Sequence, residues 1–256
     1  NADIAVGNAV GSVTANVGLI MCVALICMEC AMTRKQFGVK ACLLLAAILA
    51  LFGFTRDGQL SVLESVLILI IFVGFLVESL IAARQEQGSE LPAQEERPKI
   101  DKKTVLLNIG KFLLGAAGIV LGAQLLIDNG SALARMLGVP DAVIAATMIA
   151  IGTSLPELVT TLTAIKKKQA SLSVGNIIGA NIMDLTLIMP LCAVIQGKPM
   201  TVERQGMLLD IPACLIICAA ALIPALVQGK FKRWIGYLIG GLYIAYLIIM
   251  FTCFGA

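Results

Sequence analysis

The chain has 256 residues, of which 59% are hydrophobic and 14% charged, with a formal net charge of +3 and no histidine. Soluble domains carry about 25% charged residues, so this composition, with a mean hydropathy of +0.96, excludes a water-soluble globule. The absence of histidine also excludes a Ser–His catalytic pair and an H-E-x-x-H metal site.

Apolar runs long enough to cross about 30 Å of hydrocarbon recur along the whole chain. Eight are predicted, at residues 4–32, 37–54, 60–83, 104–127, 139–165, 172–195, 205–227 and 234–254. The expected fold is therefore all-α, a polytopic membrane protein of about eight transmembrane helices. The first run contains Asn8 and Asn16 and lacks a basic leading segment, so it does not read as a signal peptide. The chain starts on Asn1 rather than Met, and a leading piece is expected ahead of it. In the third run Glu64 and Glu78 lie towards the two ends and read as interfacial groups.

Residues 84–103 form the only long hydrophilic stretch, with five basic and five acidic side chains, and read as a solvated linker. The expected organisation is 1–83 as the remainder of a first membrane repeat with three helices, 84–103 as a cytoplasmic linker, and 104–256 as a second repeat with five helices. Fourteen of the 19 basic residues fall after the first, third, fifth and seventh runs, among them Arg34, Lys35, Lys166, Lys167, Lys168, Lys230 and Arg233. The positive-inside rule makes those ends cytoplasmic, so the first run descends from outside to inside and the sixth ascends.

The fifth run carries Gly152-Thr153-Ser154-Leu155-Pro156-Glu157. An ionisable group at the centre of a bilayer costs roughly 2.5–3.5 kcal/mol on insertion scales, so Glu157 implies a compensating partner. Pro156 has no N–H, which frees the Gly152 carbonyl, and Thr153 stands four residues before Glu157 on the same helical face. In the sixth run Asn181 and Asp184 are three apart. All these donors are hard oxygens, a set suited to Ca²⁺ or Na⁺ rather than to zinc or copper. In the seventh run Asp210 is a candidate for an ion vestibule.

The sixth run also repeats the first. Val6-Gly7-Asn8-Ala9-Val10-Gly11 corresponds to Val174-Gly175-Asn176-Ile177-Ile178-Gly179 at an offset of 168, and each is followed five residues later by Asn16 or Asp184. Glycines at this spacing also serve simple helix packing. The polar pair, on runs that cross in opposite directions, points instead to an inverted-topology repeat, which places ion sites near the bilayer midplane.

Gly152 to Glu157 together with Gly175-Asn176-Ile177-Ile178-Gly179-Ala180-Asn181-Ile182-Met183-Asp184 resembles the second α-repeat of the cation/Ca²⁺ exchanger superfamily, in its sodium/calcium exchanger branch. Residues 6–17 look like the closing half of the first. The resemblance implies a secondary active antiporter, not an enzyme, exchanging Ca²⁺ for Na⁺ by alternating access in the plasma (cytoplasmic) membrane. It also implies Glu157 and Asp184 as the central carboxylates and Thr153, Ser154, Asn181 and Asn16 as supporting ligands. Val13 stands where the family has Asn, and Ala180 where Ser is common. No resident cofactor is implied; the partners are the transported cations, with K⁺ or H⁺ open as further coupling ions, and membrane lipid, with no nucleic acid. The family has ten helices, so the first two are expected to be missing here, and the 256-residue chain is not expected to catalyse coupled exchange alone. The alternatives are an H⁺/Ca²⁺ antiporter and a cation channel, the latter expected to repeat a pore loop around an oligomer axis.

Overall fold

In hydrocarbon a backbone N–H or C=O finds no water, so a spanning segment must satisfy its own groups and becomes helical. The computed structural model describes residues 2–28, 30, 32–89, 101–139, 141–144 and 150–254. The first span is α1 (Ala2–Ala15), a π-helical segment Asn16–Met21, and α2 (Cys22–Cys27). The second, α3 (Arg34–Phe54), opens on a capping box in which the Thr33 N–H donates to Gln36 at 2.9 Å. A 3₁₀ turn, Thr55–Asp57, follows α3 and is closed by Gly58, whose φ of 81° suits glycine, and leads into β1 (Gln59–Leu60). The third, α4 (Val62–Ser89), is capped by Glu64, which accepts from Ser61 N and Oγ.

The fourth span is α5 (Lys102–Met136), and α6 (Asp141–Ile144), α7 (Ala150–Thr153) and α8 (Leu155–Lys166) follow. Next come α9 (Ala170–Met183), a second π-helical segment Asp184–Ile188, and α10 (Met189–Gln196). The chain finishes with β2 (Met200–Thr201), a third π-helical segment Gly206–Asp210, α11 (Ile211–Gln228) and α12 (Arg233–Phe254).

Among the described residues seven helical runs are long and apolar enough to cross a membrane. The fifth expected span, 139–165, is not one helix: it is interrupted at Ser154, between α7 and α8, while its residues 140 and 145–149 lie outside the described part. Glu157, expected in mid-helix, therefore stands in the first turn of α8. Pro156 fits the position, since proline is tolerated in the first turn of a helix, where its missing N–H would have no partner. Helix also extends into both ends of the expected linker, α4 reaching Ser89 and α5 starting at Lys102; residues 90–100 lie outside the description.

Two pairings mark opposite ends of the bundle. At one, β1 and β2 pair antiparallel, Gln59 with Thr201 and Leu60 with Met200. At the other, Cys30 bridges Phe231, and the Arg34 guanidinium donates to the Val227 carbonyl at 2.7 Å. β1 follows α3 and β2 follows α10, while Cys30 precedes α3. The α1–α2 span therefore runs away from the strand end and the α9–α10 span towards it. Met32, beyond α2, accordingly lies against Gly175 near the start of α9. The two repeat helices are antiparallel, as an inverted repeat requires. Their π-helical segments start at Asn16 and Asp184, equivalent positions at the offset of 168.

α3 packs against α11 and α2 against α12. Asp210, buried in this layer, accepts from the Tyr246 hydroxyl at 3.0 Å and from Gln205 at 3.3 and 3.4 Å, so it is tied into the packing rather than aimed at the cavity described below. Y246F is expected to remove about 1–3 kcal/mol, the cost of depriving a buried carboxylate of a donor, and to lower the unfolding midpoint in detergent. Y237F, on an exposed side chain, serves as the control; equal midpoints for the two variants would contradict this role. Glu78 pairs with Lys40 at 3.7 Å. α5 exposes Leu106, Phe112, Leu121 and Leu125, which lipid tolerates because its tails are as apolar as leucine.

Candidate cation site

Where the break before α8 meets the two repeat spans, they enclose a cavity of about 390 Å³. Ala5, Asn8, Ala9, Ser12 and Asn16 of the first span line it, with Thr153, Ser154 and Glu157 at the break and Asp184, Ile188, Met189 and Cys192 of the α9–α10 span. Five of the expected site residues, Glu157, Asp184, Thr153, Ser154 and Asn16, thus border one space. Thr153 and Glu157 reach it from opposite sides of the helix break rather than from one continuous face.

Gly152 and Asn181 are not in the lining. Gly152 is buried, and a Cβ there would run into Ile127 of α5; glycine lets that long helix approach the break. Asn181 stands behind Asn16, whose Nδ2 donates to Asn181 Oδ1 at 2.8 Å. Asn176 is also elsewhere, donating to Thr160 at 3.3 Å.

The polar groups at the cavity are partly unsatisfied. Ser12 Oγ and Thr153 Oγ1 are 2.8 Å apart, and Thr153 Oγ1 also lies 3.0 Å from the Ala150 carbonyl and 3.5 Å from Asn8 Oδ1. One hydroxyl proton serves only one acceptor at a time, so oxygen lone pairs stay open there. Ser154 Oγ and Asn16 Oδ1, in residues 2% and 1% exposed, have no hydrogen-bond partner among the described residues. A buried polar atom without a partner costs about 1–3 kcal/mol, and a cation between these oxygens and the two carboxylates would recover that cost. Among the described residues there is no cluster of three or more His, Cys, Asp or Glu side chains. The charged donors are two carboxylates and the rest are neutral oxygens, an arrangement suited to a hard cation.

Sequence reasoning passed over Ser12 and Asn8 as site residues. Ser12 is one helical turn before Asn16 on the same face, and that i, i+4 spacing is the signal that could have found it.

The family model described as sodium/calcium exchanger protein matches residues 1–81 and 107–252. The sodium/calcium exchanger MaX1 of Methanosarcina acetivorans is 35% identical over 144 residues, 56% of this chain and 41% of MaX1, so the match spans less than half of that relative's length. An uncharacterized membrane protein of Methanocaldococcus jannaschii is 30% identical over 242 residues, covering 94% of this chain and 74% of that protein. Among solved structures, the sodium-calcium exchanger NCX_Mj soaked with Na⁺ and Sr²⁺ matches with a TM-score of 0.73 at 26% identity, over 96% of this chain and 76% of that one.

Proposed function

The chain belongs to the sodium/calcium exchanger protein family, and we propose that it exchanges Ca²⁺ for Na⁺ across a membrane by alternating access, with Glu157 and Asp184 as the charged ligands. The observation that carries this reading is the meeting of both carboxylates with the unpartnered oxygens of Ser154 and Asn16 at one cavity between inverted repeats. Thr153, Ser154 and Asn16 supply neutral oxygens, to which we add Ser12. Asn181 holds the Asn16 amide in place, and Gly152 lets α5 approach the break.

Two carboxylates neutralise one Ca²⁺, or the same oxygens are redistributed among Na⁺ ions. Ca²⁺ takes 6–8 oxygen ligands, so Na⁺ entering any of those positions withdraws part of its shell. Competition for shared ligands is the physical basis of exchange, and opening the site to one side at a time couples the two fluxes.

The division into a first repeat at 1–83, a linker at 84–103 and a second repeat at 104–256 belongs to this reading. So does the cytoplasmic placement of the face carrying Lys166, Lys167 and Lys168, which the positive-inside rule supports; those lysines would sit at lipid headgroups. Titrating bound ⁴⁵Ca²⁺ on the purified protein with Na⁺, against choline at equal ionic strength, tests the shared site. Na⁺ is expected to displace Ca²⁺ where choline does not; equal effects of the two salts would reject a shared site.

A further inference from the structure

The cavity lies on one side of its carboxylates. On the first span it uses Ala5, Asn8, Ser12 and Asn16, up to the start of the π-helical segment; on the α9–α10 span it uses Asp184, Ile188, Met189 and Cys192, from the start of that segment onward. Because the spans are antiparallel, both halves point to the face carrying β1 and β2.

The repeat offset of 168 assigns each lining residue a counterpart. Ala5 corresponds to Ser173, Asn8 to Asn176 and Cys192 to Ala24, while Ile188 and Met189 correspond to the identical residues Ile20 and Met21. These counterparts lie between the carboxylates and the opposite face, where Lys166 stands; Asn176 is exposed there. Ile20, Met21, Ala24 and Ser173 are buried. Ser173 Oγ is 2.8 Å from Thr161 Oγ1, and Asn176 donates to Thr160 at 3.3 Å. Thr161 follows Glu157 by one helical turn on the same face of α8.

Hydroxyl pairs do join helices in membranes. That role accounts for a bond between Thr161 and Ser173. It does not account for the bond falling on the repeat counterpart of a residue that lines the open cavity, directly in line with Glu157.

We propose that Thr161 and Ser173 line the route by which a cation reaches the site from the Lys166 face, and that the buried hydrogen bond between them keeps this route closed in the state described. The inference rests on the cation-site reading above. Neutral hydroxyl oxygens suit a route, since they replace hydration waters of a passing cation without holding it as a carboxylate would.

The test uses thiol accessibility in vesicles. Native Cys192 reports on the strand face, and A24C places a thiol at its repeat counterpart. A membrane-impermeant trimethylammonium methanethiosulfonate is applied from each face in turn, and modification at each position is read by mass spectrometry. Cys192 is expected to react only from the strand face, and the A24C thiol only from the Lys166 face. S173A, which removes the partner of Thr161, is expected to speed A24C modification about fivefold, the shift that one net hydrogen bond can hold, and to slow Cys192 by a smaller factor. T161V repeats the test from the other side of the bond. Reaction of the A24C thiol from the strand face, or no change in its rate in both S173A and T161V, would overturn the route. Ca²⁺ protection of Cys192 reads the cation site separately: its loss in the unmutated protein would count against that site, whereas a wrong A24C pattern with protection intact would count against the route alone.

Discussion

Asp184→Asn and Glu157→Gln are each expected to weaken Ca²⁺ binding by at least about a hundredfold. Both substitutions keep the shape of the side chain and one acceptor oxygen, so the loss reads charge rather than packing. A unit charge 4 Å from another is worth about 4 kcal/mol at an effective dielectric constant near 20, and tenfold in affinity corresponds to about 1.4 kcal/mol. A divalent ion that loses one of two carboxylates therefore forfeits more than two decades, even after screening takes a share. Both side chains line the same cavity, so the two variants should behave alike. Lys167→Gln, on an exposed side chain beyond the helix end, should leave affinity nearly intact. ⁴⁵Ca²⁺ binding to the purified proteins decides the matter, and unchanged affinity in both carboxylate variants would remove Glu157 and Asp184 from the site.

Gly18→Val is expected to lower stability clearly. A Cβ at Gly18 would stand 2.7 Å from both Cβ and Cδ2 of Tyr243, closer than carbon atoms pack, and Tyr243 is buried. Overpacking of this kind costs about 1–3 kcal/mol. The first span and α12 must then separate, or the Tyr243 ring must leave its rotamer. The unfolding midpoint in detergent should fall clearly. Gly7→Ala, at a repeat glycine whose added Cβ would meet nothing within 4 Å, should leave it nearly unchanged. If the two variants were equally stable, Gly18 would not be a packing position.

The contrast between these glycines shows what the sequence could and could not convey. Gly7 and Gly18 look alike in an apolar run; only the placement of Tyr243 separates them, and that depends on how α12 crosses the first span. The helical class and the repeat were legible because hydropathy and the V-G-N-x-x-G pattern are local in the chain. The antiparallel course of the two repeat helices was legible from charge, through the positions of Lys166, Lys167, Lys168 and their counterparts after other runs. The π-helical segments were not, since nothing in Asn16-Val17-Gly18 or Asp184-Leu185-Thr186 marks an altered backbone ladder by composition. Their shared start became visible only with the backbone, although the repeat does continue in the sequence through Leu19-Ile20-Met21 and Leu187-Ile188-Met189.

The candidate site was legible in its charges and less so in its neutral donors. Glu157 and Asp184 stand out because carboxylates are rare in such runs. Ser12 and Asn8 are ordinary in a membrane helix, and their part follows from the break at Ser154, which brings Thr153 to 2.8 Å from Ser12. Pro156 was expected to free the Gly152 carbonyl within a helix carrying Glu157 at its middle; the structure instead interrupts the helix at Ser154, with Leu155 and Pro156 opening α8. Asn181 was expected as a ligand from its spacing to Asp184, yet its side chain is directed to Asn16. Spacing alone places Asn181 and Asp184 on neighbouring positions of one helix without saying which of them meets the cavity.

The central claim, coupled exchange of Ca²⁺ for Na⁺ through the Glu157 and Asp184 site, is tested most directly by ⁴⁵Ca²⁺ flux in vesicles containing the full-length protein, with Na⁺, K⁺ and pH gradients imposed one at a time. The account predicts Ca²⁺ uptake that follows an opposing Na⁺ gradient and is lost in Asp184→Asn; uptake driven by a pH gradient in the absence of Na⁺, or uptake indifferent to Na⁺, would contradict it.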